Sequence, residues 1–117
     1  LTAFSLNEIE SGIFSLTFDC KDLKVNTLST PVLEEFKTII SELKLRSDIR
    51  ALIFKSGKIG VFIAGADINE IKDIYDKETA KDKVQQGQDI LNQIEALPFP
   101  TIAAIQGVCM GGGTELA

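Results

Sequence analysis

The feature that most constrains this chain is a run of three glycines, Gly111 to Gly113, between an apolar segment and a helix signal. The apolar segment Ile102 to Ile105 follows a proline and predicts a buried strand. Thr114 to Ala117 is typical of the first turn of a helix. A strand that passes through glycines into a helix leaves backbone N–H groups unshielded and directed at one point. Glycine also permits positive φ and lets a ligand approach the backbone closely.

Glu115 lies just beyond this glycine turn, where its carboxylate is placed to act as a general acid or base. The alternative for the same stretch is structural: the three glycines form a flexible tip, or allow tight contact between a helix and a strand. The stretch by itself leaves both interpretations open.

Composition narrows the classes of function. The chain has 117 residues, 44% of them hydrophobic and 25% charged, which suits one globular domain with a modest core. A net charge of −5 without a basic stripe argues against nucleic acid as the main partner. No apolar run is long enough to span a bilayer, and residues 1–10 lack the pattern of a secretory signal.

The cysteines and the missing histidine restrict the chemistry further. Cys20 and Cys109 match no metal-ligand spacing and fit free thiols in a cytoplasmic protein, although two cysteines could also pair. With no histidine present, Ser-His-Asp catalysis, Cys-His catalysis and histidine metal sites are excluded within these residues. The sequence stops inside the apparent helix start without a glycine cap, so we expect a fragment of a longer protein.

The first half of the chain predicts a hairpin and a helix. Phe4 to Ile9 and Ile13 to Phe18 flank a Glu-Ser-Gly turn, and a polar loop, Asp19 to Thr27, follows. Thr30 is the predicted N-cap of a helix with proline in its first turn. The apolar face of this helix recurs at helical spacing through Val32, Phe36, Ile39, Ile40 and Leu43.

The second half alternates strands and helices. Ala51 to Phe54 is a continuous apolar run, typical of a parallel strand covered on both faces. After the apolar Phe62 to Ala64, Gly65 begins a turn in which Asp67 is the predicted N-cap and Glu70 completes a capping box. A long helix is predicted over Glu78 to Leu97, with its apolar stripe at Val84, Leu91, Ile94 and Leu97. This alternation predicts an α/β fold.

Two strand–turn–helix junctions therefore occur, one at Ala64 to Asp67 and one at Gly111 to Gly113. If their strands are neighbours in a parallel sheet, both turns lie beyond the carboxyl ends of those strands, where ligands bind. Each turn offers one N–H, and two converging donors form an oxyanion hole.

The sequences of these junctions, FIAGADI (62–68) and IAAIQGVCMGGGTELA (102–117), resemble the two signature segments of the crotonase superfamily, the enoyl-CoA hydratase/isomerase group. The resemblance extends over nearly the whole chain. The segments TAFSLNEIESGIFSLTFD, KVNTLS and ALPFPTIAAIQG are most similar to the amino-terminal region of fatty-acid oxidation complex alpha subunits, multifunctional enzymes of β-oxidation. The resemblance implies a crotonase-like ββα spiral, with residues 1–117 as the truncated amino-terminal part of a single domain.

The resemblance also implies roles for individual residues. The N–H groups of Ala66 and Gly112 would bind the thioester carbonyl oxygen, and Glu115 would be the first of two catalytic glutamates, activating water. The second glutamate would lie beyond this sequence. The coenzyme A contact region would comprise Lys24, Val25, Ala64, Gly65, Asp67 and Ile68, with Gly111 at the second turn.

The implied activity is hydration of trans-2-enoyl-CoA, with enoyl-CoA isomerisation as an additional activity. It would require no metal and no cofactor, since coenzyme A is part of the substrate. A homo-oligomer or a thiolase subunit would be the protein partner. Two alternatives remain: a nucleotide- or phosphate-binding module, for which neither G-x-G-x-x-G nor a Gly-Lys-Ser/Thr sequence is present, and an inactive folded fragment.

Overall fold

The computed structural model describes residues 2–117, which contain six strands and four helices. The strands are β1 (Phe4–Glu10), β2 (Ile13–Phe18), β3 (Ala51–Ser56), β4 (Val61–Ile63), β5 (Thr101–Ala104) and β6 (Val108–Cys109). The helices are α1 (Thr30–Lys44), α2 (Ile68–Lys72), α3 (Lys77–Glu95) and α4 (Gly112–Leu116). The predicted α/β class and the predicted hairpin are confirmed.

The larger sheet has the strand order β1-β2-β3-β5. Strands β1 and β2 form the antiparallel hairpin, whereas β3 pairs in parallel with β2 on one side and with β5 on the other. Helix α1 connects the parallel neighbours β2 and β3, since parallel strands need a long crossover. Its buried residues Phe36, Ile40 and Leu43 join the hydrophobic core together with Leu16, Leu52 and Phe54 of the sheet.

Phenylalanine rings form the centre of this core. Phe4 stacks on Phe18 with ring centroids 4.7 Å apart, and Phe36 stacks on Phe54 at 5.4 Å. Phe62, fully buried, meets Phe54 edge-on at 5.7 Å. Such pairs contribute about 0.5–1.5 kcal/mol beyond the area that they bury. The aromatic cluster therefore links both hairpin strands, α1, β3 and β4.

A second sheet consists of only β4 and β6, paired in parallel. Helix α4 packs against it through Gly113, where an added Cβ would lie 2.6 Å from Ile63 Cβ. The chain also crosses itself closely at Gly107, which has φ +74°, and a Cβ there would lie 2.0 Å from the carbonyl oxygen of Gly60. Glycine is therefore required at both positions, because any side chain would separate the two strands or the helix.

Two of the predicted helix caps are wrong. The N-cap of α1 is Ser29, whose hydroxyl accepts from the N–H of Val32, and not Thr30. Asp67 does cap α2, accepting from the N–H of Asn69 at 2.9 Å. Glu70 does not complete a capping box, because its carboxylate accepts from the N–H of Thr30 in α1 at 2.8 and 3.0 Å. Tertiary contact between two helix starts thus replaces the local pairing that the spacing predicted.

The segment around the glycine run also differs from the prediction. Strand β5 is not buried: its Ile102 is 53% exposed, as is Ile105 just after it, and β5 is the last strand of the larger sheet, pairing only with β3. Moreover, β5 does not lead into the glycines, because the short strand β6 intervenes. The junction therefore belongs to the second sheet, and not to the larger one.

The long helix predicted over Glu78 to Leu97 is present, but it buries a different face from the one predicted. Helix α3 ends at Glu95, so that Leu97 lies beyond it, and Ile90 is its buried residue, while Val84 is 59% exposed. Within residues 2–117, none of the helices combines the length and the apolar character that crossing a membrane demands.

Candidate active site

The two predicted turns lie side by side at the carboxyl ends of β4 and β6. The pairing of these strands is direct: Val108 N–H donates to the Gly60 carbonyl at 3.0 Å, and Met110 N–H donates to the Ile63 carbonyl at 3.0 Å. A Cβ on Gly111 would lie 3.8 Å from Gly65 Cα. Both glycines have positive φ, +112° at Gly65 and +52° at Gly111. The positive φ therefore favours glycine at both positions, whereas a Cβ at either one would make only ordinary van der Waals contact with the other turn.

Each turn presents backbone N–H groups that have no acceptor among residues 2–117. They include those of Ala66 and Gly112, the residues that directly follow the two positive-φ glycines. Hydrogen bonds on either side hold the two turns in place: the Gly65 carbonyl accepts from Leu28 N–H at 2.8 Å, and Gly113 N–H donates to the Met110 carbonyl at 2.9 Å. Free N–H groups on two adjacent turns are candidate donors for an external acceptor, because such donors can bind one oxygen together.

A cleft of about 450 Å³ lies in front of these donors. Ala66, Gly112 and Glu115 all line it, which brings the three predicted catalytic residues into one cavity. The rest of its lining is largely apolar and comes from the four helices and the segment between α2 and α3, including Leu33, Phe36, Ile71, Ile74, Ile90, Leu91 and Leu116. The cavity thus combines an apolar wall with two backbone donors, as ligand sites commonly do.

The three carboxylates of the cleft differ in their partners. Asp67 accepts from the N–H of Asn69, and Glu70 accepts from the N–H of Thr30. Glu115, which is exposed, has no hydrogen-bond or ion-pair partner within residues 2–117. Since the first two are occupied in holding helix starts, Glu115 is the cleft carboxylate that remains available for chemistry.

The predicted coenzyme A contacts lie around the first turn. Lys24 is exposed and Val25 is half-buried, and both directly precede the segment whose Asn26 carbonyl accepts from Ala64 N–H at 2.8 Å. Gly65 is buried beneath the turn, Asp67 caps α2, and Ile68 is 66% exposed at its start. Gly111 is exposed at the second turn. The fold therefore brings these segments together, while their contact with a ligand stays a prediction.

The roles of two groups around the cleft were not predicted from the sequence. Asn26 lies in the segment expected to be a polar loop and is completely buried. Thr30 links three helices, because its N–H donates to Glu70 of α2 and its hydroxyl accepts from Lys83 of α3. A single sequence carries no signal for either group, since buried and solvated side chains of these types look alike until the chain is folded.

Neither cysteine resembles a nucleophile. Burial raises the pKa of the Cys20 thiol, which keeps it protonated, and Cys20 lies outside the cleft lining. Cys109 is half-buried next to the glycine turn, with Thr114 as its polar neighbour at 3.9 Å. Both are free thiols. In the part of the chain that the structure describes, no three Cys, Asp or Glu side chains group as metal ligands.

Comparison with known proteins gives consistent results. Residues 8–117 match the enoyl-CoA hydratase/isomerase family. The solved structures of an enoyl-CoA hydratase from Bacillus anthracis and of an enoyl-CoA hydratase/carnithine racemase from Magnetospirillum magneticum both superpose with a TM-score of 0.89, at 29% and 30% identity. The first match covers 98% of this chain and 44% of the other; the second covers 100% and 43%.

A structure described as an enoyl-CoA hydratase from Geobacillus kaustophilus superposes with a TM-score of 0.90 at 26% identity, covering 100% of this chain and 43% of the other. The chain thus spans less than half the length of the solved structures that it matches. These similarities confirm the predicted crotonase-type fold.

Proposed function

This chain belongs to the enoyl-CoA hydratase/isomerase family, and from that premise we propose that its cleft is the site at which water adds to a trans-2-enoyl-CoA thioester. The observation that carries the proposal is the shared cavity of two unpaired amides, Ala66 and Gly112, and one available carboxylate, Glu115. Hydration of an enoyl thioester needs these two kinds of group: donors for a developing oxyanion and a base for water.

In the proposed reaction, the thioester carbonyl oxygen accepts hydrogen bonds from Ala66 N–H and Gly112 N–H. Glu115 takes a proton from water as the water oxygen forms a bond to the β-carbon. The electron pair of the double bond moves through the α-carbon onto the carbonyl oxygen, which becomes an enolate oxygen held by the two donors. Backbone donors suit this task because they are fixed before the charge develops.

The α-carbon must then gain a proton to complete the addition. Asp67 and Glu70, the other cleft carboxylates, are bonded to backbone N–H groups within this chain. We therefore assign α-protonation to a second acid outside residues 1–117. The additional isomerase activity would use the same enolate: a proton is removed from the α-carbon and returned to a different carbon of the acyl chain, which moves the double bond. The proposed chemistry uses no metal or redox cofactor, and coenzyme A enters as part of the substrate.

The apolar wall of the cleft is the proposed acyl site. It faces the donors from α1, α2 and α3, with Leu33, Ile71 and Leu91 among its members. The loop that carries Lys24 and Val25 and the turn from Ala64 to Ile68, with Gly111, form the proposed coenzyme A side. Lys24 is exposed there, where its ammonium is positioned to meet phosphates.

The wider setting of the enzyme follows from the same resemblance. We propose a cytoplasmic hydratase of fatty-acid β-oxidation within a multifunctional alpha subunit, paired with a thiolase subunit or assembled as a homo-oligomer. The two free cysteines agree with a reducing compartment. Size-exclusion chromatography with light scattering, alone and with thiolase subunit added, distinguishes the two assemblies.

The test of the proposal is Glu115→Gln in the full-length gene product. Because general base catalysis typically contributes about 10²–10⁴-fold, we expect kcat for hydration to fall by that factor while acyl-CoA still binds. Loss of the conjugated enoyl absorbance measures turnover, and calorimetry measures binding.

Glu95→Gln, at the exposed end of α3 and away from the cleft, is the matched control and should leave kcat unchanged. Hydration by the Glu115→Gln protein at the wild-type rate would refute the proposed role. Calorimetric titration with NAD and ATP checks the alternative of a nucleotide-binding module, for which tight binding without acyl-CoA binding is the distinguishing result.

A further inference from the structure

Asn26 is the polar side chain at the joint between the two sheets. It is 0% exposed. Its Nδ2 donates to the Phe18 carbonyl at the end of β2 and to Ser56 Oγ at the end of β3, each at 2.9 Å. The same nitrogen lies 3.0 Å from the Phe62 carbonyl of β4. Its Oδ1 accepts from Cys20 N–H at 2.9 Å. One side chain thus ties strands of the larger sheet to the second sheet.

The backbone next to Asn26 continues this connection to the first turn. The Asn26 carbonyl accepts from Ala64 N–H at 2.8 Å, and Leu28 N–H donates to the Gly65 carbonyl at 2.8 Å. Leu28 and Ala66 form an isolated parallel bridge. The segment from Asn26 to Leu28 therefore pairs with the turn that carries the Ala66 donor, and holds that turn from outside the second sheet.

The same segment also reaches the second turn. Leu28 Cδ1 lies 3.0 Å from the position that a Cβ on Gly112 would occupy, which is close contact with the Gly112 backbone. Asn26 fixes the segment, and Leu28 touches the residues that supply both donors. A small shift of Asn26 would consequently change the distance and angle between the two N–H groups.

We infer that Asn26 is a positioning residue, which sets the alignment of the Ala66 and Gly112 donors through the segment from Asn26 to Leu28. This inference rests on the proposed function. A purely structural asparagine would stabilise the joint without affecting the site. Asn26 differs because its side chain bonds the Phe62 carbonyl of β4 while its backbone carbonyl bonds Ala64 N–H, next to Gly65. The amide group is required in this orientation, since its nitrogen faces three acceptors and its oxygen faces one donor.

The test is Asn26→Asp in the full-length gene product, which keeps the shape and places a carboxylate oxygen against three acceptors. Because small misplacements of catalytic groups cost up to about 100-fold, we expect kcat to fall by roughly 10–100-fold with KM within about threefold of wild type. Leu43→Ala is the control: it truncates a core side chain of α1 that is 2% exposed and outside the cleft lining. Measured below its melting temperature, it should retain the wild-type kcat.

A second measurement needs no substrate. Amide hydrogen exchange at Ala64 and Leu28 should be faster in Asn26→Asp than in Leu43→Ala, relative to the other amides of β4. If Asn26→Asp does not fold, Leu28→Ala replaces it, with a fall in kcat of about tenfold expected from the lost contact at Gly112.

The outcomes separate the two proposals. If wild-type protein hydrates enoyl-CoA, and the Asn26→Asp protein keeps its kcat or shows control-like exchange, the positioning role is overturned while the proposed function stands. If wild-type protein has no hydratase activity, the proposed function fails. In that case, control-like exchange at Ala64 and Leu28 still overturns the link from Asn26 to the turn, and faster exchange supports that link.

Discussion

The two sheets of this protein are held together by different physical means. The four-stranded sheet packs against α1 through phenylalanine rings, and its stability comes from apolar area removed from water. The two-stranded sheet has three residues in β4 and two in β6, too few to form a core of its own. It is positioned by glycine contacts, by the hydrogen bonds of Asn26 and by the ring of Phe62.

The difference explains where the donors are found. A sheet held by apolar packing tolerates small adjustments, because side chains of similar volume can replace one another. The turns after β4 and β6 tolerate less, since Gly65 and Gly111 both have a positive φ that other residues rarely adopt. The N–H groups of Ala66 and Gly112 directly follow these glycines, so their separation depends on the backbone conformation of the two turns. Substitutions in the larger sheet should therefore mainly lower the free energy of unfolding. Substitutions in the smaller sheet should mainly change the alignment of the Ala66 and Gly112 donors.

The largest effect on stability is expected from Phe54→Ala. The ring of Phe54 meets those of Phe36 and Phe62, and it is 6% exposed. Removing a buried phenylalanine typically costs about 3–5 kcal/mol in the free energy of unfolding. Urea denaturation measures the loss, and kcat per folded molecule should stay near the wild-type value. A selective loss of kcat with full stability would contradict the division between the sheets.

Leu45→Ala provides the reference for that measurement. Leu45 follows α1 and is 87% exposed, so its truncation should change the free energy of unfolding by less than about 0.5 kcal/mol.

An intermediate effect is expected from Gly113→Ala. The added methyl group would lie 2.6 Å from Ile63 Cβ and 2.9 Å from the Ile63 carbonyl oxygen, so α4 must move away from β4. Overpacking of this kind costs about 1–3 kcal/mol. Since α4 carries Gly112 and Glu115, we also expect kcat to fall. This fall should be larger than in the Phe54→Ala protein, although Phe54→Ala loses more stability.

Gly87→Ala is the matched substitution for Gly113→Ala. Gly87 also lies within a helix, and an added Cβ there meets nothing within 4 Å. It should therefore fold at least as stably as wild type. Equal kcat in the two alanine variants would show that close packing at Gly113 does not matter for the site.

The smallest effect on stability, with the opposite sign, is expected from Gly87→Leu. Gly87 lines the cleft from α3, and its φ and its surroundings do not require glycine. Leucine should add up to about 1 kcal/mol of helix stability. Its side chain would at the same time narrow the cleft. We expect the ratio of kcat/KM for a long-chain enoyl-CoA to that for a four-carbon one to fall about tenfold or more.

That experiment sharpens the assignment of the apolar wall. An unchanged ratio in Gly87→Leu protein, with the expected gain in stability, would mean that the acyl chain does not run along α3. Gly87→Ala serves again as the control, because its methyl group fills less of the cleft.

Prediction from the sequence succeeded where the signal is local. The alternation of apolar residues predicted β2 with its observed bounds, and the carboxylate of Asp67 predicted the start of α2. It failed at Thr30 and Glu70, whose polar groups pair between helices instead of within one. It also failed for Ile102, because the exposure of a strand depends on what lies beside it in the folded sheet.

The amino-acid sequence by itself determined the α/β class, the two glycine-marked turns and the carboxylate that follows the second of them. These depend on backbone freedom at glycine and on short-range periodicity, which can be read along the chain. Only the tertiary structure decided that both turns belong to a separate two-stranded sheet, that Ala66, Gly112 and Glu115 line one cleft, and that Asn26 joins the sheets. Such arrangements arise from contacts between residues far apart in sequence, and no local pattern records them.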